Sequence, residues 1–191
     1  MPKGWPHAAA KFIVELLVLG ARSSMAENTN PTRTVLHTGG CQCGAVRYAL
    51  YAQPNNASIC HCRMCQKASG NLFGAFGGVK RADHAWTRGT PKAFMSSEVI
   101  ARDFCGDCGT PLTFRHTDRD RTSVALGSLD QPERVPVTLQ YGTESRVPGF
   151  DKLPTLPDQK TSDWVDPVRA PKLASRQHPD HDTDMWPLAK G

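Results

Sequence analysis

The stretch Gly39-Gly-Cys-Gln-Cys-Gly-Ala-Val-Arg-Tyr-Ala-Leu-Tyr51 joins a glycine-flanked pair of thiols to the partial alternation of a half-buried strand. A second pair, Cys105-Gly-Asp-Cys108-Gly109, follows much later in the chain. Two thiolates at such spacing can face one metal ion, and together the pairs predict a closed four-thiolate site. That site would tie the N-terminal strand to a later hairpin. For either pair alone, a buried thiol pair or a redox dithiol is the alternative.

The other three of the seven cysteines lie in Cys60-His-Cys-Arg-Met-Cys65. Seven cysteines would leave one thiol over in a disulfide framework, whereas a partition into four and three suits two metal ions. A structural zinc takes four protein ligands, and a reactive zinc usually keeps three and leaves its fourth position open. We therefore expect Cys60, Cys62 and Cys65 to form a second, open zinc site.

Three histidines could complete that second site. His61 stands between two ligands of an extended segment, so its side chain is expected to point the other way. His84 and His116 are more distant candidates, and an ordinary strand or surface position is the alternative for each. We expect the fourth position to remain open.

The charge of such a site indicates its chemistry. Zn²⁺ with three thiolates carries a net charge of −1, which makes it a weak Lewis acid and a poor source of hydroxide. A thiol that coordinates the ion is nevertheless deprotonated outright. The site is thus better suited to capturing a small thiol, whose sulfur then attacks a carbonyl, than to hydrolysis.

From Thr34 onward, short runs rich in Val, Thr, Tyr and Phe are separated by Gly, Pro, Asn and Asp. The predicted strands are 35–39, 45–51, 72–79, 93–96, 99–104, 112–116, 123–127 and 137–141. Only 62–69 is typical of a helix, with Gly70 as its C-cap. The sequence predicts an all-β domain of small antiparallel sheets with one short helix. Its core is limited, so bound zinc would add to its stability.

We divide the chain into an N-terminal extension (1–33), a zinc domain (34–155) and a polar, proline-rich C-terminal tail (156–191). The run 11–20 has the outline of a signal peptide, but Glu15 interrupts it and it is too short to span a bilayer. The alternatives are that Met25 is the true start, or that the run forms a short amphipathic helix. We favour residues 1–24 being dispensable. The tail is expected to be disordered or to lie loosely on the surface.

The formal net charge of +5 is mild, and Lys and Arg are scattered among Asp and Glu. Without a block of basic residues, nucleic acid is not an expected partner. Closely spaced thiolates need a reducing compartment, which predicts a cytoplasmic location and no membrane association. The sequence does not indicate an oligomeric state.

Three ordered motifs carry a resemblance to a known family. They are 39–48, Cys60-His-Cys-Arg-Met-Cys-Gln-Lys-Ala-Ser-Gly70 and Arg102-Asp-Phe-Cys-Gly-Asp-Cys-Gly-Thr-Pro111. These closely resemble the glutathione-dependent formaldehyde-activating enzyme (GFA) family, which includes centromere protein V. The match runs from about Thr38 to Pro154.

The resemblance implies an Mss4-like all-β fold with two zinc ions. It implies a structural ion on Cys41, Cys43, Cys105 and Cys108, and a catalytic ion on Cys60, Cys62 and Cys65. The implied activity is the addition of glutathione to formaldehyde, which is classed as a carbon–sulfur lyase reaction. Related sequences often carry His-Tyr-Gly and Pro-Trp, whereas this chain has Gln140-Tyr-Gly142 and then Gly149 after Pro148. These departures bear on specificity.

We expect an enzyme that takes a small thiol, such as glutathione, and an aldehyde, such as formaldehyde. Lys67, Arg47 or Arg102 would attract a carboxylate of the thiol, with ordinary surface charge as the alternative. Phe73 and Phe76 would wall a pocket, or else pack in the core. The alternative functions are a non-catalytic zinc module that binds protein or nucleic acid, and a thiol or metal sensor that uses the three clustered cysteines.

Overall fold

Ten strands in two sheets make up the β-domain in the part of the chain that the structure describes. The computed structural model describes residues 33–185. The strands are β1 (His37–Gly40), β2 (Arg47–Leu50), β3 (Asn55–Cys60), β4 (Gly74–Val79), β5 (His84–Arg88), β6 (Lys92–Ser97), β7 (Ile100–Phe104), β8 (Pro111–His116), β9 (Thr122–Ala125) and β10 (Leu139–Tyr141). One sheet has the order β1-β2-β5, and the other has the order β10-β3-β4-β9-β8-β7-β6. The predicted all-β class is confirmed.

The strand pairs are antiparallel except for β3 and β10, which run parallel and place Tyr141 opposite Cys60. The sequence reading missed β3 and β5. Strand β3 begins with two asparagines, and Asn56 has a φ of 49°, so its first residues have the character of a turn. Because β10 pairs with β3, the last strand of the described chain lies beside Cys60, the final residue of β3.

The hydrophobic core lies between the two sheets. Tyr48 and Leu50 of β2 are buried together with Val79, Leu112 and Val124 of the larger sheet. Two cysteines, Cys41 and Cys105, belong to the same core cluster. Because few large side chains fill this core, a link between the sheets at its edge would contribute much to the stability of the fold.

One α-helix, α1 (Arg63–Ser69), lies among residues 33–185, and it confirms the predicted helix at 62–69. Cys62 is its N-cap and accepts a hydrogen bond from the backbone N–H of Cys65, with 3.4 Å between N and Sγ. Gly70 ends the helix in the left-handed region at φ 59°, as a C-cap requires. No helix in this part of the chain is long and apolar enough to cross a membrane.

The C-terminal segment differs from the expectation of a loosely lying tail. Residues 156–177 are mostly exposed, but His178 is buried and its backbone N–H donates to the Gln42 carbonyl at 2.8 Å. Asp182 accepts a 2.7 Å hydrogen bond from the buried Arg47, which also binds Asp130. The tail therefore returns to the core. The predictions for residues 1–32 are the N-terminal extension, the signal-like run 11–20 and Met25 as an alternative start. They lie outside the described residues, as do the last six residues of the tail.

His84 provides a test of this packing through the pH dependence of stability. Its Nε2 is enclosed without a hydrogen-bond partner, and its ring packs on Tyr48 and Trp86. Burial lowers the pKa of His84 to about 4, although Asp103 partly opposes this. Below about pH 6.5 the unfolded chain therefore binds more protons at His84 than the folded protein does. The free energy of unfolding should fall for this reason as the pH falls from 6.5 towards 4. The loss should reach up to about 3 kcal/mol.

Urea unfolding at several pH values between 7 and 4 would measure this fall in the free energy of unfolding, with His84→Phe as the comparison. The variant should show a smaller fall in the free energy of unfolding than the unsubstituted protein over the same range. Equal falls in both proteins would contradict the assignment of a neutral, buried His84. Each protein should carry the same metal content at each pH, because thiolate ligation is itself pH-dependent.

Candidate metal centre

Four cysteines from two hairpin turns converge at the edge of the core. Cys41 and Cys43 lie in the turn between β1 and β2, and Cys105 and Cys108 lie in the turn between β7 and β8. Their sulfur atoms all lie within 4.8 Å of one another, with 3.5 Å between Cys41 and Cys43 and 3.7 Å between Cys43 and Cys105. A tetrahedral zinc with 2.3 Å bonds needs sulfur separations of about 3.8 Å. This four-cysteine cluster fits such an ion.

Hydrogen bonds of the two turns hold these sulfurs in place. The backbone N–H of Val46 donates to Cys41 Sγ at 3.2 Å, and the Thr110 hydroxyl lies 3.1 Å from Cys108 Sγ. The same hydroxyl accepts from the backbone N–H of Gln42 at 3.0 Å, which joins one turn to the other. Gly109 has a φ of 77°, a conformation that favours glycine. The cluster therefore bridges the two sheets.

The other three cysteines converge where β3 meets α1. Cys60 ends the strand, Cys62 caps the helix, and Cys65 lies in its first turn. Their sulfurs also lie within 4.8 Å of one another, and those of Cys60 and Cys62 are 3.5 Å apart. No fourth His, Cys, Asp or Glu of the described chain joins this triplet. It could hold a metal ion with one position left for another ligand.

The histidine between these ligands faces away from them, as expected. His61 is fully buried, its Nε2 donates to Gln140 Oε1 at 2.8 Å, and its Nδ1 has no hydrogen-bond partner. Its ring packs edge-on against Phe150, with centroids 4.5 Å apart. His84 and His116 join neither cysteine group, and His116 instead faces Asp118.

The end of β10 and the residues that follow it lie against one side of the triplet, a contact that the sequence analysis did not predict. The Tyr141 carbonyl accepts from the His61 N–H at 2.8 Å, and the Ser145 carbonyl accepts from the side chain of the buried Gln66 at 3.0 Å. Gly142, with a φ of 62°, lies so close that a Cβ there would be 2.8 Å from the Cys62 nitrogen. The Gln-Tyr-Gly segment is the sequence signal for this covering loop, which we define as 140–150.

The basic residues proposed from the sequence have different environments. Arg102 donates from Nη2 to Cys65 Sγ at 3.4 Å, so it belongs to the triplet. Lys67 is exposed in the last turn of α1 and borders a surface cavity of about 430 Å³ that the triplet does not line. Arg47 is held by Asp130 and Asp182 beside the four-cysteine cluster. Its predicted role in attracting a substrate carboxylate at the triplet is therefore wrong.

The two predicted aromatic wall residues pack in different places. Phe73 lies edge-on to Phe150, which itself covers His61. Phe76 packs against Phe114 with ring centroids 5.8 Å apart, on the same face of the larger sheet as Arg102. Phe76 and Phe114 are only half-buried. They form an apolar surface beside Arg102 at the triplet.

Ionisation of the thiols is uneven within each cluster. Burial raises the pKa of Cys60 to about 12, whereas hydrogen bonds from Cys65, and from the neighbouring thiols, outweigh burial and lower the pKa of Cys62. Burial also opposes ionisation of Cys108, but hydrogen bonds, with Thr110 foremost, lower its pKa to about 6. Closely spaced thiols cannot all ionise without a compensating cation. The donor sets thus fit a soft divalent metal ion.

The family model of the glutathione-dependent formaldehyde-activating enzyme matches residues 36–144. This range contains both cysteine groups and the start of the covering loop. The chain belongs to the GFA family. The membership confirms the resemblance found in the sequence motifs.

The proteins similar to this GFA-family chain include a curated relative and a solved structure. An uncharacterised lyase of Schizosaccharomyces pombe is 29% identical over 82 residues, which cover 43% of this chain and 59% of the relative. A crystal structure of a Rhodobacter sphaeroides protein has a TM-score of 0.45 and 20% identity, and the match covers 54% of this chain and 98% of that one. The chain thus spans somewhat more than half the length of the lyase.

The two cysteine groups should respond differently to substitution. Cys108→Ser should lower the free energy of unfolding by on the order of 5 kcal/mol or more, because the metal there would bridge the two sheets. Cys65→Ser should leave the domain folded, because the triplet joins only a strand to its adjacent helix. Circular dichroism and urea unfolding at matched zinc concentration would measure both. Equal destabilisation of the two variants would contradict this division between the clusters.

Proposed function

We propose that this protein is a zinc-dependent enzyme of the carbon–sulfur lyase type. It captures a small thiol such as glutathione at Cys60, Cys62 and Cys65, and joins its sulfur to an aldehyde such as formaldehyde. The observation that carries the proposal is the difference between the two cysteine groups. One brings four sulfurs together, and the other brings three, without a fourth ligand among residues 33–185.

The two groups have separate tasks in this proposal. The four-cysteine cluster holds a structural zinc that joins the sheets. The triplet holds the second zinc, which when bound supplies an open position where a thiol is held in its deprotonated form. Membership of the GFA family and the description of the fission yeast relative as a lyase support this reading.

The chain's own residues supply the surroundings of the reaction. Arg102 places a positive charge beside Cys65, and the half-buried Phe76 and Phe114 offer an apolar surface for a small carbonyl compound. The covering loop 140–150 lies against the other side. The thiol sulfur attacks the carbonyl carbon, a carbon–sulfur bond forms as the carbonyl π bond breaks, and the oxygen takes up a proton in place of the one that the thiol lost on ionisation. The product is a hemithioacetal, which for formaldehyde is the S-hydroxymethyl derivative of the thiol.

A reducing compartment is a requirement of this chemistry, because oxidation would link the clustered thiols into disulfides. The cysteines of the described chain are all free. A cytoplasmic location is part of the proposal for this reason.

The proposal is tested with the protein reconstituted with Co²⁺, whose optical spectrum reports a change of ligands. Adding glutathione should change the spectrum of the unsubstituted protein but not that of Cys65→Ser. With ¹³C-formaldehyde present, NMR should show the adduct forming at least about tenfold faster than the spontaneous reaction, because the two reactants are held together. Cys65→Ser at the same concentration is the control for that background.

A spectrum that does not change with glutathione, 2-mercaptoethanol or any other small thiol would remove thiol capture from the proposal. A normal spectral response without faster adduct formation would instead favour a thiol sensor. In either protein, the metal content per chain before and after a mild chelator establishes which cysteine groups were loaded.

A further inference from the structure

Arg102 is a buried cation without a carboxylate partner among the described residues. Its exposed fraction is 8%, and the ion pairs of this part of the chain are formed by other basic residues. The adjacent Asp103 points to the opposite face of β7, where it binds Arg115 and Thr113. A charged side chain at this depth is costly to bury unless something compensates its charge.

The contacts of Arg102 are with a sulfur, a hydroxyl and an aromatic ring. Its Nη2 donates to Cys65 Sγ at 3.4 Å, and its Nε donates to the Ser96 hydroxyl at 3.3 Å. Its guanidinium carbon lies 5.0 Å from the centre of the Phe114 ring, opposite which the strand register places it. These contacts on both sides fix the group against the triplet. The anion that compensates it is therefore the cysteine cluster.

The contact between Arg102 and Cys65 affects ligand binding through the charge of the triplet. A divalent ion on three thiolates has a net charge of −1, and an incoming thiolate makes it −2. The other cations near α1, Arg63 and Lys67, are exposed to solvent, which screens them. Arg102 is held where screening is weak, so it offsets the second negative charge far more effectively.

We propose that Arg102 is a positioning residue that gives the open site its preference for an anionic sulfur ligand over a neutral one. The inference rests on the proposed function, because it assumes a metal ion on the triplet. Arg102 acts through the charge of the cluster and not by binding a carboxylate of the thiol. The substrate class is therefore set by the sulfur, and thiols without carboxylates bind as well.

The test uses the Co²⁺-loaded full chain, titrated with 2-mercaptoethanol, mercaptoacetate and imidazole. Arg102→Gln should weaken binding of both thiols about tenfold or more, which corresponds to about 1.4 kcal/mol. Binding of neutral imidazole should change by less than about twofold. Arg102→Lys should keep much of the thiol affinity because it keeps the charge. Arg119→Gln, which removes one charge from the exposed turn between β8 and β9, is the matched control and should match the unsubstituted protein.

A second measurement separates a charge effect from structural damage. Competition with a chelator gives the zinc affinity of the triplet. Arg102→Gln should lower zinc affinity less than thiol affinity, because the zinc-loaded site carries a net charge of −1 and the site with a bound thiolate carries −2. A zinc affinity that falls as much as the thiol affinity would show only a disturbed site and would overturn the inference.

The remaining outcomes also decide the question. A loss confined to mercaptoacetate would show that Arg102 binds the carboxylate, and equal losses for thiols and imidazole would show no selectivity. Unchanged thiol binding in Arg102→Gln would overturn the inference while leaving the proposed function in place. If the unsubstituted protein binds no thiol, the proposed function fails first. Should Arg102→Gln not fold, Arg102→Met with the same ligands replaces it as the neutral variant.

Discussion

The convergence of two hairpin turns on four sulfur atoms is the constraint on which the remainder of the structure depends. One turn belongs to the small sheet and the other to the large sheet, so the cluster fixes the two layers against each other. The core between them contains few large side chains, and Cys41 and Cys105 are themselves part of it. A metal ion here would act as a cross-link that the small core lacks.

The second sulfur group is built on different principles. The triplet lies on a single strand-to-helix connection, and its members are close together in sequence. Loss of a metal ion there would therefore not separate the sheets. Its surroundings come from distant parts of the chain. Arg102 arrives from β7, and the covering loop arrives after β10, because the parallel pairing with β3 places Tyr141 opposite Cys60. In the proposed function, architecture and chemistry are thus assigned to separate clusters of one small domain.

The two departures from the expected family pattern lie at the triplet. Gln140 accepts the hydrogen bond of His61 and also a longer one from Arg146. Gly149, with a φ of 81°, starts the turn that places the Phe150 ring against His61. Both residues therefore act on the segment between Cys60 and Cys62. They orient its backbone without adding a ligand.

Local spacing was sufficient to predict the cysteine grouping, the helix from Cys62 to its glycine cap, and most strands of the all-β class. These features depend on residues close together in the chain, whose geometry the sequence states directly. Strand β3 was missed because it begins with turn residues, and β5 was missed because its sequence His84-Ala-Trp-Thr-Arg88 shows no regular alternation of apolar and polar residues.

The sequence by itself determined the partition of seven thiols into a group of four and a group of three. Only the tertiary structure decided that Arg102 touches Cys65 while Arg47 is neutralised by Asp130 and Asp182. Each arginine lies a few residues from a cysteine pair, Arg47 after Cys43 and Arg102 before Cys105, and the two carry the same charge. Their environments differ because the fold brings to each arginine groups that are distant in sequence, and no local pattern specifies those groups.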